Sequence, residues 1–201
     1  MSISWRNIST GKNESRRGNL MKPTEELDHP ALARMDGEWV LILQRTLEHP
    51  IENVWAALTE SEQLPAWGPF AVDRDLTSTG PVALSHVNHA EENESRQGEV
   101  LTVQAPHLLI FKWGSDILRW ELSSNEGKTV LILRHRFTDY AMASSMAAGW
   151  TLCLKGLTGI LEGRQMPSMA GSNAYLYGWQ ELNDKYKILF EASNATTDKM
   201  N

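Results

Sequence analysis

The chain carries a single cysteine, Cys153, in 201 residues. One cysteine excludes an internal disulfide framework. Long apolar runs are missing too: none approaches the ~20 residues of a membrane span. The first twenty residues, MSISWRNISTGKNESRRGNL, have no apolar centre, which predicts the absence of a secretion signal. Basic residues are outnumbered, with 19 Lys and Arg against 25 Asp and Glu and a net charge of -6. That balance excludes a broad nucleic-acid surface, which needs clustered cations. There is no internal repeat and no low-complexity tract. Gly98, Gly114 and Gly156 form no phosphate-cradling pattern, and Ser144-Ser145 has no triad around it. These absences together predict a soluble cytoplasmic protein with no membrane span, no nucleic-acid partner, no metal and no cofactor.

Tryptophan, by contrast, is abundant. The eight are Trp5, Trp39, Trp55, Trp67, Trp113, Trp120, Trp150 and Trp179. Rings of this size either fill a core or line a cavity.

The polar, aperiodic stretch 1–27 reads as a flexible tail. Asp36-Gly37 is a hairpin signal, so residues 31–35 are expected to pair with the strand over 38–47. In that strand Trp39, Leu41, Leu43 and Leu47 share one face. Two short helices follow, 51–59 and 61–67, the second capped by Ser61 and stopped by Gly68-Pro69. Six strands come next, over 70–76, 82–88, 97–104, 108–113, 117–122 and 128–137, separated by turn signals roughly every ten residues. That spacing is the mark of an antiparallel meander. The longest helical pattern covers 141–163, with Met142, Met146, Trp150, Cys153, Leu157 and Leu161 on one side and Gly163 as its stop. A last amphipathic helix is expected over 174–190 through Leu176, Trp179, Leu182, Tyr186 and Leu189.

A sheet with one apolar face needs a cover, and the helix over 141–163 is long enough to supply it. The fold class is therefore α+β. A curved antiparallel sheet wraps around one long helix, with two short helices after the first long strand and an extra helix at the C-terminal end. The organisation is a tail over 1–27, a domain over 28–163, and a helical extension and tail over 164–201.

Several segments carry a resemblance. Arg45-Thr-Leu-Glu-His-Pro50, Val54-Trp-Ala-Ala-Leu-Thr59 and Leu64 to Trp67 resemble the opening of the START-like, or SRPBCC, superfamily. Together with Ala105-Pro-His-Leu-Leu-Ile-Phe-Lys-Trp-Gly114, Leu118-Arg-Trp-Glu-Leu122, the segment ending at His135, and Ala148-Gly-Trp150 onward to Leu157 and Gly163, they are similar to the family named after the activator of Hsp90 ATPase. Gly178-Trp-x-x-Leu182-x-x-x-Tyr186 resembles a C-terminal extension of one bacterial branch. The resemblance implies a helix-grip fold of the START and Bet v 1 type, with a cavity between sheet and long helix. Members of the wider superfamily bind lipids, sterols, polyketides or plant hormones, and some are enzymes. The eukaryotic co-chaperones of the narrower family carry a separate Hsp90-binding domain that has no counterpart in the 36 polar residues before the domain here.

The candidate ligand-binding residues are Trp67, Phe111, Trp113, Trp120, His135 and Trp150, which come from different elements and share the inward register. Gly149 and Ala147 leave room on the covering helix. His135 is either a group that orients a ligand or acts as a base, or a core histidine satisfied by its neighbours. His86 and His89, near Glu91 and Glu92, project to opposite strand faces and are poorly placed for a metal. Cys153 reads as an inert small hydrophobe, and Arg134 and Arg136 as solvated. Three functions follow from these residues. The first is binding of a small apolar or aromatic molecule, with no covalent chemistry. The second is a co-chaperone or interaction module, with a chaperone or a second copy of the chain as partner. The third is a cofactor-free enzyme using His135.

Overall fold

The computed structural model describes residues 30–87 and 96–197, with side chains described as far as residue 193. The expected tail over 1–27, the residues His89, Glu91 and Glu92, and the chain end after 197 lie outside the described residues.

Eight strands follow in order: β1 (Ala31–Met35), β2 (Glu38–Leu47), β3 (Phe70–Val72), β4 (Gly80–His86), β5 (Arg96–Gln104), β6 (Leu108–Trp113), β7 (Asp116–Asn125) and β8 (Lys128–Phe137). The helices are α1 (Ile51–Thr59), α2 (Leu64–Trp67), α3 (Ala143–Leu161) and α4 (Trp179–Thr197). All strand pairs are antiparallel, in the order β1-β2-β8-β7-β6-β5-β4-β3, so β2 returns to pair with the last strand of the meander. Local sequence explains the tight hairpins. Asp36-Gly37 and Glu126-Gly127 both take positive φ at the two turn positions, the type I′ geometry that matches strand twist.

The sheet curves around α3, as a helix-grip fold requires. Its inner face presents Leu41, Leu43, Leu109, Phe111, Leu118, Trp120, Leu131 and Leu133, against which Ala147, Trp150, Cys153, Leu154 and Leu157 of α3 pack. Burying an aliphatic or aromatic side chain of this kind contributes roughly 1.5–3 kcal/mol. Helix α3 ends in a Schellman motif: Gly163, at φ +74, donates its N–H to the Ile160 carbonyl, and Arg164 donates to that of Gly159.

The outer face departs from expectation. Arg134 is buried rather than solvated. It stands directly opposite Arg119 on the neighbouring strand, where two guanidinium groups would repel. Glu121 lies between them, accepting from Arg134 Nε at 2.7 Å and from Arg119 at 3.0 Å. Burial pushes the Glu121 pKa up, but the two arginine hydrogen bonds outweigh it and leave the carboxyl below its ordinary value. Arg136 likewise pairs with Glu38.

Three boundaries also differ. The third strand stops at Val72, because Asp73 turns the chain by accepting from the Ala83 N–H at 2.9 Å. Ser61 caps no helix: its N–H and hydroxyl both donate to Asp75 Oδ1. The final helix is broken at Gly178, φ +85, and residues Gly171–Tyr177 form a 3-10 segment instead. The break leaves Leu176 exposed rather than on the buried stripe. Helix α4 packs back on α3, with Tyr186 and Phe190 buried and the Tyr186 hydroxyl 3.1 Å from Thr151 Oγ1.

Gly98 in β5 is fixed by packing. A methyl group there would collide with Leu84 Cδ1 and lie 2.6 Å from the Lys112 carbonyl oxygen. Gly98→Ala is expected to destabilise the fold by about 2 kcal/mol or more, read as a lower urea midpoint; an unchanged midpoint would show that β4 and β6 yield freely.

Candidate functional site

A cleft of about 1100 Å³ opens beside the N-terminal half of α3. Its walls come from four places. The sheet supplies His86, Trp113, Asp116 and His135, and α3 supplies Met146, Gly149, Trp150 and Cys153. The 3-10 segments before α3 and before α4 supply Tyr140 and Tyr175, and α4 supplies Trp179, Asn183 and Phe190.

Of the six residues chosen from the sequence, Trp113, His135 and Trp150 line this cleft. Trp67, Phe111 and Trp120 lie beneath it in the core. The two groups touch through edge-on rings: Trp67 meets Trp120 at 5.9 Å between ring centroids, and Trp120 meets Trp150 at 5.4 Å. Trp67 is also held by its indole N–H, which donates to the Ala57 carbonyl at 2.9 Å.

His135 is enclosed by Trp113, Phe137 and Trp150, at centroid distances of 6.4, 5.7 and 6.1 Å. Trp150 Nε1 lies 3.0 Å from His135 Nδ1, and Asp116 Oδ2 lies 2.9 Å from Nε2. An indole N–H can only donate, so Nδ1 bears the lone pair. The proton of the neutral ring is then on Nε2, directed at Asp116. Both nitrogens are engaged, which leaves His135 no lone pair with which to take a substrate proton. The imidazole acts as a tie between helix and sheet, and the carboxylate behind it is one of the polar groups that line the cleft.

Asp116 was missed in the sequence because Gly114-Ser-Asp116 reads as a turn. Its signal is register: Asp116 continues the inward alternation of Leu118, Trp120 and Leu122. His86 is similarly in phase with Val82 and Leu84, and its ring sits 5.3 Å from that of Trp113. The cleft wall between 169 and 175 had no periodicity to reveal it. Among the described residues no group of three or more His, Cys, Asp or Glu side chains is placed to hold a metal ion. Nor is any helix of the described residues long and apolar enough to cross a membrane.

Cys153 lies on the cleft floor. Burial pushes its thiol up from 9.0 to about 12, because desolvation disfavours the thiolate.

These features define a helix-grip protein whose grip helix and sheet part at one end to form a cleft. The sequence model of the activator of Hsp90 ATPase homolog 1-like proteins matches residues 48–162, more than half of the chain, and the chain belongs to that family. Among curated proteins nothing matches. Solved structures share the fold at low identity. CalU16 from Micromonospora echinospora is 20% identical, with a TM-score of 0.61 over 80% of this chain and 96% of its own. A conserved protein of unknown function from Enterococcus faecalis is 13% identical, with a TM-score of 0.62 over 82% of this chain and 91% of its own. DynU16, a protein of the dynemicin biosynthetic locus, is 18% identical, with a TM-score of 0.56 over 66% of this chain and 51% of its own.

Trp150→Phe removes the donor to Nδ1 and leaves a buried acceptor unpaired. It is expected to cost about 1–3 kcal/mol of stability, measured by denaturant unfolding; an unchanged midpoint would mean that the bond contributes nothing. At pH 8 the native Cys153 thiol should react with an aromatic disulfide about a thousandfold more slowly than in the unfolded chain, following the thiolate fractions. The linkage has a definite sign. The folded pKa is raised, so the stabilisation is fully present below pH 9 and falls away as pH rises from 9.0 toward about 12. Equal rates in native and unfolded protein would contradict the assignment.

Proposed function

We propose that this chain binds a small apolar or aromatic molecule, non-covalently, in the cleft between the sheet, α3 and α4. The observation that carries the reading is Gly149. A glycine inside a helix is less favourable than alanine by about 1 kcal/mol, so its presence calls for a reason. Gly159 of the same helix has one in packing, since a Cβ there would press into Met166 at 2.5 Å, while one at Gly156 would make ordinary contact with Trp67 at 3.7 Å. At Gly149 a Cβ would meet nothing within 4 Å, and the residue lines the cleft. What this glycine preserves is open space.

The cleft suits such a ligand in size and chemistry. Ligand sites span roughly 300–1,000 Å³ and combine apolar walls with a few fixed polar groups. The walls here are Trp113, Trp150, Met146 and Phe190, and the polar end is Asp116. A chain of the same fold, DynU16, comes from a biosynthetic locus, a setting in which small organic molecules are made.

The first measurement is the mass of the purified protein under native and then denaturing conditions. A non-covalent mass lost on denaturation supports the reading and identifies the occupant. Two variants extend it. Gly149→Ala should raise stability by about 0.5–1 kcal/mol and weaken binding, since its methyl group enters the open space. Gly149→Trp should place an indole in the cleft beside Trp150 and weaken binding by about tenfold or more. Undiminished binding in the tryptophan variant would place the ligand elsewhere. Matching masses, with no uptake from a library of aromatic compounds, would reject the reading in favour of a protein partner.

A further inference from the structure

The chemistry of the cleft's inner end narrows the class of molecule it accepts. Strands β6 and β7 are joined by the two-residue turn Gly114-Ser115, with Gly114 at φ +61. So short a connection sets Asp116 directly opposite Trp113. Its side chain is 19% exposed and lines the cleft.

The carboxylate is oriented on both sides. Oδ2 accepts from His135 Nε2 at 2.9 Å, and Oδ1 accepts from the Ser115 hydroxyl at 3.2 Å. His135 cannot turn away, because its other nitrogen holds the Trp150 indole proton at 3.0 Å. A carboxylate has about four lone-pair sites, and these bonds occupy two. Among the described residues no Lys or Arg is ion-paired with Asp116. The cationic residues that line the cleft, Arg96 and Lys187, are themselves exposed. Ser115, with its proton given to Asp116, also presents lone pairs. The inner end between the rings of Trp113 and Trp150 therefore presents the acceptors of Asp116 and Ser115, with the His86 ring beside Trp113.

We propose that Asp116 is a specificity-determining residue: it selects flat apolar molecules that bring a hydroxyl or amine donor to the inner end, and rejects those that bring an ether oxygen or a carboxylate there. The proposal rests on the reading of the cleft as a ligand site. Its physical basis is that a buried acceptor left unpaired by the ligand is penalised, whereas a donor gains a charge-assisted bond. Hydrogen-bonding sites discriminate by this asymmetry far more than apolar walls do.

The test uses two probes matched in shape, 2-naphthol and 2-methoxynaphthalene, titrated into the full chain and followed by NMR of the tryptophan indole N–H signals. The wild type is expected to bind 2-naphthol tighter by about tenfold or more. In Asp116→Asn the amide oxygen can still accept from His135 while the amide NH2 faces the cleft, so the preference should fall to within about twofold. Equal binding of both probes by the wild type, with shifts at Trp150 and Trp113, would overturn the selection and leave the cleft reading standing. A preference undiminished in Asp116→Asn would assign it to another residue. Absence of binding by either probe would overturn the selection together with the cleft reading.

Discussion

The structure depends on how one helix is tied to a curved sheet. The apolar seam between α3 and the sheet supplies most of the attraction, but apolar contact is non-directional and would tolerate sliding or rotation of the helix. The bond from Trp150 Nε1 to His135 Nδ1 fixes both. It is buried, so breaking it without replacement leaves an unpaired donor and an unpaired acceptor in an apolar setting. The edge-on contact of Trp150 with Trp120, and of Trp120 with Trp67, carries the same constraint down to α2. Four elements are thereby placed by one chain of aromatic contacts, and Asp116 is placed by its upper end.

The two faces of the sheet meet the solvent problem differently. On the inner face, side chains are apolar and covered by helices except at the end where His86, Asp116 and His135 line the cleft. On the outer face, Arg134–Glu121 and Arg136–Glu38 are cross-strand ion pairs, and Arg119 pairs with Glu121 on its own strand. Partly buried pairs of this kind are weak evidence of stability, but they prevent the opposed arginines from destabilising neighbouring strands. The helices are layered as well. Because α4 lies on α3, the C-terminal segment extends the cleft wall while burying Tyr186 and Phe190 against the core. The family match ends at residue 162, while Met169, Tyr175, Trp179, Asn183 and Phe190 all line the cleft. The shape of this cleft is therefore set in large part by a segment outside the shared domain.

Strand alternation, turn residues and the periodicity of α3 made the sheet and its covering helix legible in the sequence, since each is a local signal. Gly163 and the Asp36-Gly37 turn acted as their chemistry suggests. Half of the candidate cluster was also legible, because inward register at Trp113, His135 and Trp150 follows from period two and 3.6. Register alone does not give depth, however. Trp67, Phe111 and Trp120 share the inward direction and sit below the cleft, and depth is set by where sheet and helix diverge. Asp116 was obscured for a related reason, as a polar residue beside a turn reads as part of the turn even when it is in phase with the strand. Gly178 is a third case: amphipathic spacing runs through it unbroken, and only its left-handed backbone, which glycine adopts without penalty, divides the segment.

The same tie that organises the fold constrains any chemistry. A histidine in an apolar pocket invites assignment as a general base, but a base needs a lone pair within reach of its substrate. Here the Nδ1 lone pair receives the Trp150 proton and the Nε2 proton is given to Asp116, so using the imidazole as a base would mean releasing α3 from the sheet. Position and proton transfer compete for the same two nitrogens, and position has taken both. The group left facing the cleft is an anchored carboxylate, which can accept a hydrogen bond from a ligand without disturbing the helix. A rigid acceptor beside open apolar volume is the arrangement on which the proposed selectivity rests, with Asp116 as its acceptor and His135 holding that carboxylate in line.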